Sequence, residues 1–215
     1  EAVFTTAEEI GMVGAKHFDM SKLTGKRMIN FDAGGFTEGR IYVGCAGNLH
    51  ARLRQALTYV PAGGGTPRQI TLLGLQGGHS GGDIDKGRGN SSQILGRLLA
   101  LLLEDEGVEI AGLSSGDVTQ ENKNGIPTEF TLTVNTRDVP ALEEKVRRFS
   151  DTLRDELSDV DDHFTFDVQP APAPAQVLSR ESALTAARIL TLLPNGVRSM
   201  QRVFADTPEC SANIG

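Results

Sequence analysis

Glu8 and Glu9 are adjacent carboxylates that follow a short apolar and β-branched run, Val3 to Thr6. Such a pair suits a metal hydrolase, because one carboxylate can bind the cation while its neighbour takes a proton from the bound water. The same residues also suit a helix start. Thr6 and Glu9 form the T-x-x-E capping box, and acids in a first turn complement the helix dipole. Asp32 closes the run Arg27 to Asp32, and an acid at the carboxyl end of a strand lies where α/β sheets usually bind ligands. Aspartate is equally at home in a turn. His79 lies in Gly77-Gly78-His79-Ser80-Gly81-Gly82. An imidazole held between glycines ahead of a helix can reach a ligand and donate to a developing oxyanion, although loops also carry histidines with no task.

Other candidates carry less. Gly87-Arg88-Gly89-Asn90 lacks the full P-loop or dinucleotide pattern and reads as a helix entry. Ser80 beside His79 is no nucleophile arrangement, since neighbours on an extended chain point apart. His17, His50 and His163 have no ligand-like spacing.

The elements that must hold these residues follow from hydrophobic periodicity. Near the amino end, Val3–Thr6, Arg27–Asp32 and Arg40–Gly44 read as short strands, with a helix from about Thr6 to Lys16. Residues 46 to 68 end in the turn-rich Pro61-Ala62-Gly63-Gly64-Gly65-Thr66-Pro67. A regular pattern follows: strand Gln69–Leu75, a helix capped by Asn90 and running to about Glu106, and strands Val108–Leu113 and Glu129–Asn135. The helix Val139–Leu157 and the strand Phe164–Val168 complete it. This β-α-β-β-α-β order over about 69–168 predicts a four-stranded sheet with both helices on one face, the ferredoxin-like arrangement. Pro170-Ala171-Pro172-Ala173-Pro174 reads as a stiff linker. A last helix spans about Ser179 to Leu193.

Composition narrows the class. The 215 residues are 39% hydrophobic and 23% charged, with 25 glycines, enough for one large or two small domains with a real core. A net charge of −7 argues against nucleic acid or anionic membrane as a partner. No apolar run approaches the roughly 20 residues of a membrane helix. Cys45 and Cys210 are far apart and lack CxxC spacing, which suits a reducing cytoplasm better than a disulfide framework or a thiolate zinc site. Neither end resembles a natural terminus, so the chain reads as cut at both.

Taken in order, these segments resemble the bacterial aminoacyl-histidine dipeptidases, relatives of carnosinase in the zinc exopeptidase superfamily. Thr5-Thr6-Ala7-Glu8-Glu9-Ile10-Gly11-Met12-Val13-Gly14-Ala15 resembles that family's segment bearing the catalytic and metal glutamates. Ile29-Asn30-Phe31-Asp32 is similar to its next metal-ligand strand, followed by Ile41-Tyr42-Val43-Gly44-Cys45-Ala46-Gly47. Leu73-Gly74-Leu75-Gln76-Gly77-Gly78-His79-Ser80-Gly81-Gly82 resembles the lid signature. Gly87-Arg88-Gly89-Asn90, Asn124-Gly125-Ile126-Pro127 and Pro194-Asn195-Gly196-Val197 also fit.

The resemblance implies an α/β plus α+β chain: a partial catalytic metal-binding domain over 1–45, then a lid/dimerisation domain over 46–215 whose second part is incomplete. It implies Glu8 as general base, Glu9 and Asp32 as ligands of two zinc ions (cobalt or manganese as substitutes), and His79 as oxyanion donor. Asn124 would contact substrate or the lid interface. The substrate would be an Xaa-His dipeptide such as β-alanyl-histidine, and the partner a second copy of the chain. The family's upstream His-x-Asp segment, bridging aspartate and distal histidine ligand have no counterpart here. Zinc sites need about three or four protein ligands, so the chain alone is expected to be inactive. Two alternatives stand beside this reading: a non-enzymatic ferredoxin-like dimerisation or binding module, and another superfamily member acting on N-acyl amino acids or tripeptides.

Overall fold

The computed structural model describes residues 1–8, 11–31, 45–116, 125–204 and 206–215. The chain divides into two compact units, Glu1–Ala56 and Leu57–Gly215, and each is described by itself.

In the first unit the described residues form one short helix, α1 (Val13–His17), and a 3-10 turn at Met20–Lys22. The helix expected from Thr6 is thus much shorter. Ala7 and Met12 both adopt left-handed backbone (φ 57° each), which interrupts any continuous helix from Thr6. The amides of Val13 and Gly14 bond back to Ala7 and Thr6 instead. Val3–Thr6 and residues 27–31 are not strands, and Arg40–Gly44 lies outside the described residues. A strand needs neighbours to take its backbone hydrogen bonds and cover its apolar face. Phe4 (92% exposed) and Phe31 (89%) have no such cover among the described residues of this unit, none of which is buried.

The second unit carries the core. Strands β1 (Tyr59–Pro61) and β2 (Thr66–Leu73) are followed by helix α2 (Ser91–Leu102), β3 (Val108–Ser115), β4 (Phe130–Thr136), helix α3 (Val139–Leu157) and β5 (Thr165–Pro170). Four of these strands form one antiparallel sheet in the order β3-β4-β2-β5. In that register Ile70 lies between Leu132 and Val168, and Leu72 between Phe130 and Phe166. Alternation then sends one set of side chains to one face. Ile70, Leu72, Ile110, Leu132 and Val134 are buried there with Leu95, Leu98, Leu99 and Leu102 of α2 and Leu142, Val146 and Leu153 of α3. Each fully buried aliphatic side chain contributes about 1.5–3 kcal/mol relative to exposure. Phe166 meets Phe130, Phe149 and Phe164 edge-on at ring separations of 5.9–6.0 Å. The opposite face carries Gln69, Thr71, Thr131, Thr133 and Asp167, none of them buried.

Side-chain caps set the helix starts: Asn90, Asp138 and Ser179 each accept from a backbone amide three residues on. Helix α2 ends at Leu102, before the expected Glu106. Glu104, Asp105 and Glu106 would place three carboxylates at the negative end of the dipole. Strand β2 stops at Leu73 because Gly74 turns to φ 88°. Beyond β5, a short strand β6 (Gln176–Leu178) pairs with β1, helix α4 (Arg180–Leu192) packs on α2, and β7 (Gly196–Met200) pairs with β8 (Pro208–Ala212). The β1–β6 and β7–β8 pairings had no sequence signal.

Candidate functional site

His79 stands on the loop that leaves β2 and enters α2. Two residues tie the ends of that loop together. Asp161, buried between them, accepts from Gln76 N (2.9 Å) through one carboxylate oxygen and from Gly89 N (3.1 Å) through the other. Arg88 donates to the carbonyl of Gly77 at 2.6 Å. Gly78, at φ 135°, leaves room for this arrangement, since a Cβ there would stand 2.5 Å from the Arg88 guanidinium and 2.7 Å from an Asp83 oxygen. A side chain at that position would break the loop on both counts.

The His79 backbone is fixed from two sides. Its N–H donates to Asp83 Oδ2 at 2.7 Å, and its carbonyl accepts from Asp83 N at 2.8 Å. On the other side it forms an antiparallel bridge with Gly125, beside a bond from Ile126 N to Gly78 O. Asp83 also accepts from the Lys86 ammonium, with the Arg88 guanidinium 3.8 Å away. The Lys86 bond, then the His79 N–H and the two cations, hold the Asp83 carboxyl down at about 2.

The imidazole of His79 is exposed. Its Nδ1 accepts from both Gly81 N and Gly82 N, each at 3.0 Å. Among the described residues no bond forms to Nε2. A neutral ring with Nδ1 as acceptor carries its proton on Nε2, so the arrangement can present an N–H donor to an oxygen outside the loop.

An asparagine cluster braces Gly125, and with it His79. The buried Asn90 side chain caps α2 with its oxygen (Gln93 N, 3.1 Å), and its amide donates to Asn195 Oδ1 (2.9 Å), Asn213 Oδ1 (3.2 Å) and Ile214 O (2.9 Å). Asn213 in turn donates to Gly125 O at 2.9 Å. Sequence reasoning saw Asn90 only as a helix entry and did not single out Asn213. The signal available was weak: asparagine adjoining glycine at 89–90 and 195–196, a pairing common in turns.

The other candidates are placed less fully. Glu8 is exposed, and its carbonyl accepts from the amides of Gly11 and Met12. Glu9, Asp32 and Asn124 lie outside the described residues. Among the described residues no group of three or more His, Cys, Asp or Glu could hold a metal ion, so these residues alone do not fit a zinc site. Among them, too, no helix is long and apolar enough to cross a membrane. A shallow groove of about 240 Å³ between α3 and β5, lined by Glu143, Arg147, Arg154 and Phe166 among others, contains no candidate residue.

Three comparisons bear on these features. Residues 70–164 match the M20 family model described as Peptidase dimerisation domain. Over its whole length the chain is 33% identical to the cytosol non-specific dipeptidase of Escherichia coli, covering 44% of that protein. Its structure is similar to the crystal structure of aminoacylhistidine dipeptidase from Vibrio alginolyticus, with a TM-score of 0.69 and 30% identity over 74% of this chain and 32% of that one. The chain therefore spans less than half the length of these relatives.

Proposed function

We propose that this chain, whose residues 70–164 match the M20 peptidase dimerisation domain and which is similar throughout to a dipeptidase, is a piece of a zinc-dependent dipeptidase acting on Xaa-His dipeptides. Residues 57–215 are the ferredoxin-like lid of that enzyme, and the first unit is part of its catalytic domain. The observation that carries the reading is the His79 loop. The loop uses an aspartate, an arginine and a bridge to Gly125 to fix the backbone that carries one exposed imidazole, and two further amides to hold the ring itself. A loop histidine with no task has no need of that bracing.

In this reading His79 donates its Nε2–H to the oxygen of the scissile carbonyl as negative charge develops there. Such a donor, held in place beforehand, contributes about 10²–10³ to kcat. Glu8 takes a proton from the attacking water and delivers it to the leaving amine. Glu9 and Asp32 belong to the zinc ligand set, Asn124 contacts substrate, and bound zinc would supply Lewis-acid polarisation. Two carboxylates fall short of the roughly three or four protein ligands a zinc ion needs, so this reading expects the chain alone to be inactive. The match to a dimerisation domain favours a homodimer, and the likeness to a cytosol dipeptidase favours the cytoplasm.

The test uses the complete protein with β-alanyl-histidine and an N-acetyl amino acid as competing substrates. Glu8→Ala should abolish turnover with zinc still bound, and His79→Ala should lower kcat about 10²–10³-fold with KM changed far less. Undiminished turnover in Glu8→Ala refutes its role. Preference for the acylated substrate moves the protein to a deacylase.

A further inference from the structure

We propose that Gly81 and Gly82 are positioning residues for His79, their backbone N–H groups holding the imidazole with Nδ1 inward as acceptor and Nε2–H outward as donor. This rests on reading His79 as a hydrogen-bond donor to substrate. It adds what selects the face and tautomer of the ring.

Three observations support it. Both amides point at the same nitrogen, at 3.0 Å each, and so share its single in-plane lone pair. Turning the ring by half a revolution would set a C–H against both amides and forfeit both bonds. The ring also lies directly against Gly81, where a Cβ would come within 3.2 Å of Cε1 and 3.3 Å of Nδ1. A methyl group at 81 would therefore crowd the ring, which would have to shift by a few tenths of an ångström. At Gly82 a Cβ would stand 3.8 Å from Nδ1, an ordinary contact, so only the N–H of that residue is needed. The two glycines thus do separate things: Gly81 gives both a donor and a flat surface, and Gly82 gives a donor.

The consequence concerns the donor role. An imidazole free to exchange tautomers or flip presents its N–H to substrate for only part of the time. One pinned at Nδ1 presents Nε2–H throughout, at no cost in reorganisation when charge appears on the substrate.

Nitrogen-15 NMR on this chain tests the assignment without any need for turnover. In its neutral form, His79 should show Nδ1 as the unprotonated nitrogen and Nε2 as the protonated one. Free histidine also favours that form, so the decisive signal is a scalar coupling across the hydrogen bond from the Gly81 or Gly82 amide nitrogen to His79 Nδ1. Gly82→Ala, which keeps the N–H, should retain coupling and tautomer. Gly82→Pro, which removes it, should raise the fraction of the Nδ1–H form several-fold, on the order of fivefold for one lost bond. Absence of coupling from both amides in the unsubstituted chain overturns the proposal, as does a predominant Nδ1–H form. So does an unchanged tautomer ratio in a folded Gly82→Pro variant. If that variant does not fold, the coupling in the unsubstituted chain decides alone. Failure here leaves the peptidase reading standing, whereas full turnover in His79→Ala would remove the donor role and leave the ring's geometry intact.

Discussion

The carboxylate of Asp83 grips the His79 backbone N–H with one oxygen and Lys86 with the other. Its pKa is held down to about 2, mainly by Lys86 and then by the His79 N–H. A carboxyl lowered on folding contributes stability above its unfolded value of about 3.9 and loses it as pH falls through the folded value. The grip on the loop should therefore persist from neutral pH to about pH 4 and fail near pH 2. Following the Asp83 side-chain carbon by NMR should give a midpoint near 2, and the His79 amide should shift in step. A midpoint close to 4 would mean that the carboxylate does not hold the loop. Asp83→Asn should remove this acid transition from the His79 amide while leaving the sheet signals in place.

Helix α2 links the candidate site to the core. Its first residue follows Asn90, the hub of the asparagine cluster, and its apolar stripe lies on the sheet. Its back meets α4 at a point where no side chain fits: a Cβ on Gly96 would come 2.7 Å from Leu190 Cβ and 2.9 Å from Thr191 N. Backbone at this distance cannot step aside as a flexible side chain can. Gly96→Val should therefore destabilise the second unit by about 1–3 kcal/mol, the usual cost of overpacking, as read by urea unfolding. A cost below about 0.5 kcal/mol, in the range of ordinary surface changes, would show that the helices do not approach so closely. The sequence made α2 legible through Ile94, Leu95, Leu98, Leu99 and Leu102, yet gave no sign that its opposite side was also covered.

At the scale of the molecule, the described buried residues all belong to residues 57–215, which also hold the sheet and the long helices. Residues 57–215 expressed alone should unfold in one cooperative transition, with the urea midpoint of the whole chain. A midpoint lowered by more than its experimental error would mean that residues 1–56 contribute stability. This division also marks what the residue order could disclose. Hydrophobic periodicity is a local property, and it was enough for Val139–Leu157, whose bounds the structure reproduces, and for the β-α-β-β-α-β order from β2 to β5. It misled at Val3–Thr6, where a strand-like pattern has no partner strand among the described residues of its own unit. The glycine-flanked His79 drew notice by composition alone. Its bracing by Asn90 and Asn213 through Gly125, and the turning of its ring onto Gly81 and Gly82, were settled by tertiary structure. Asn90 and Asn213 lie more than a hundred positions apart in the chain, and only close packing makes their side chains neighbours. No local pattern records a hydrogen bond whose partners meet only once the core has formed.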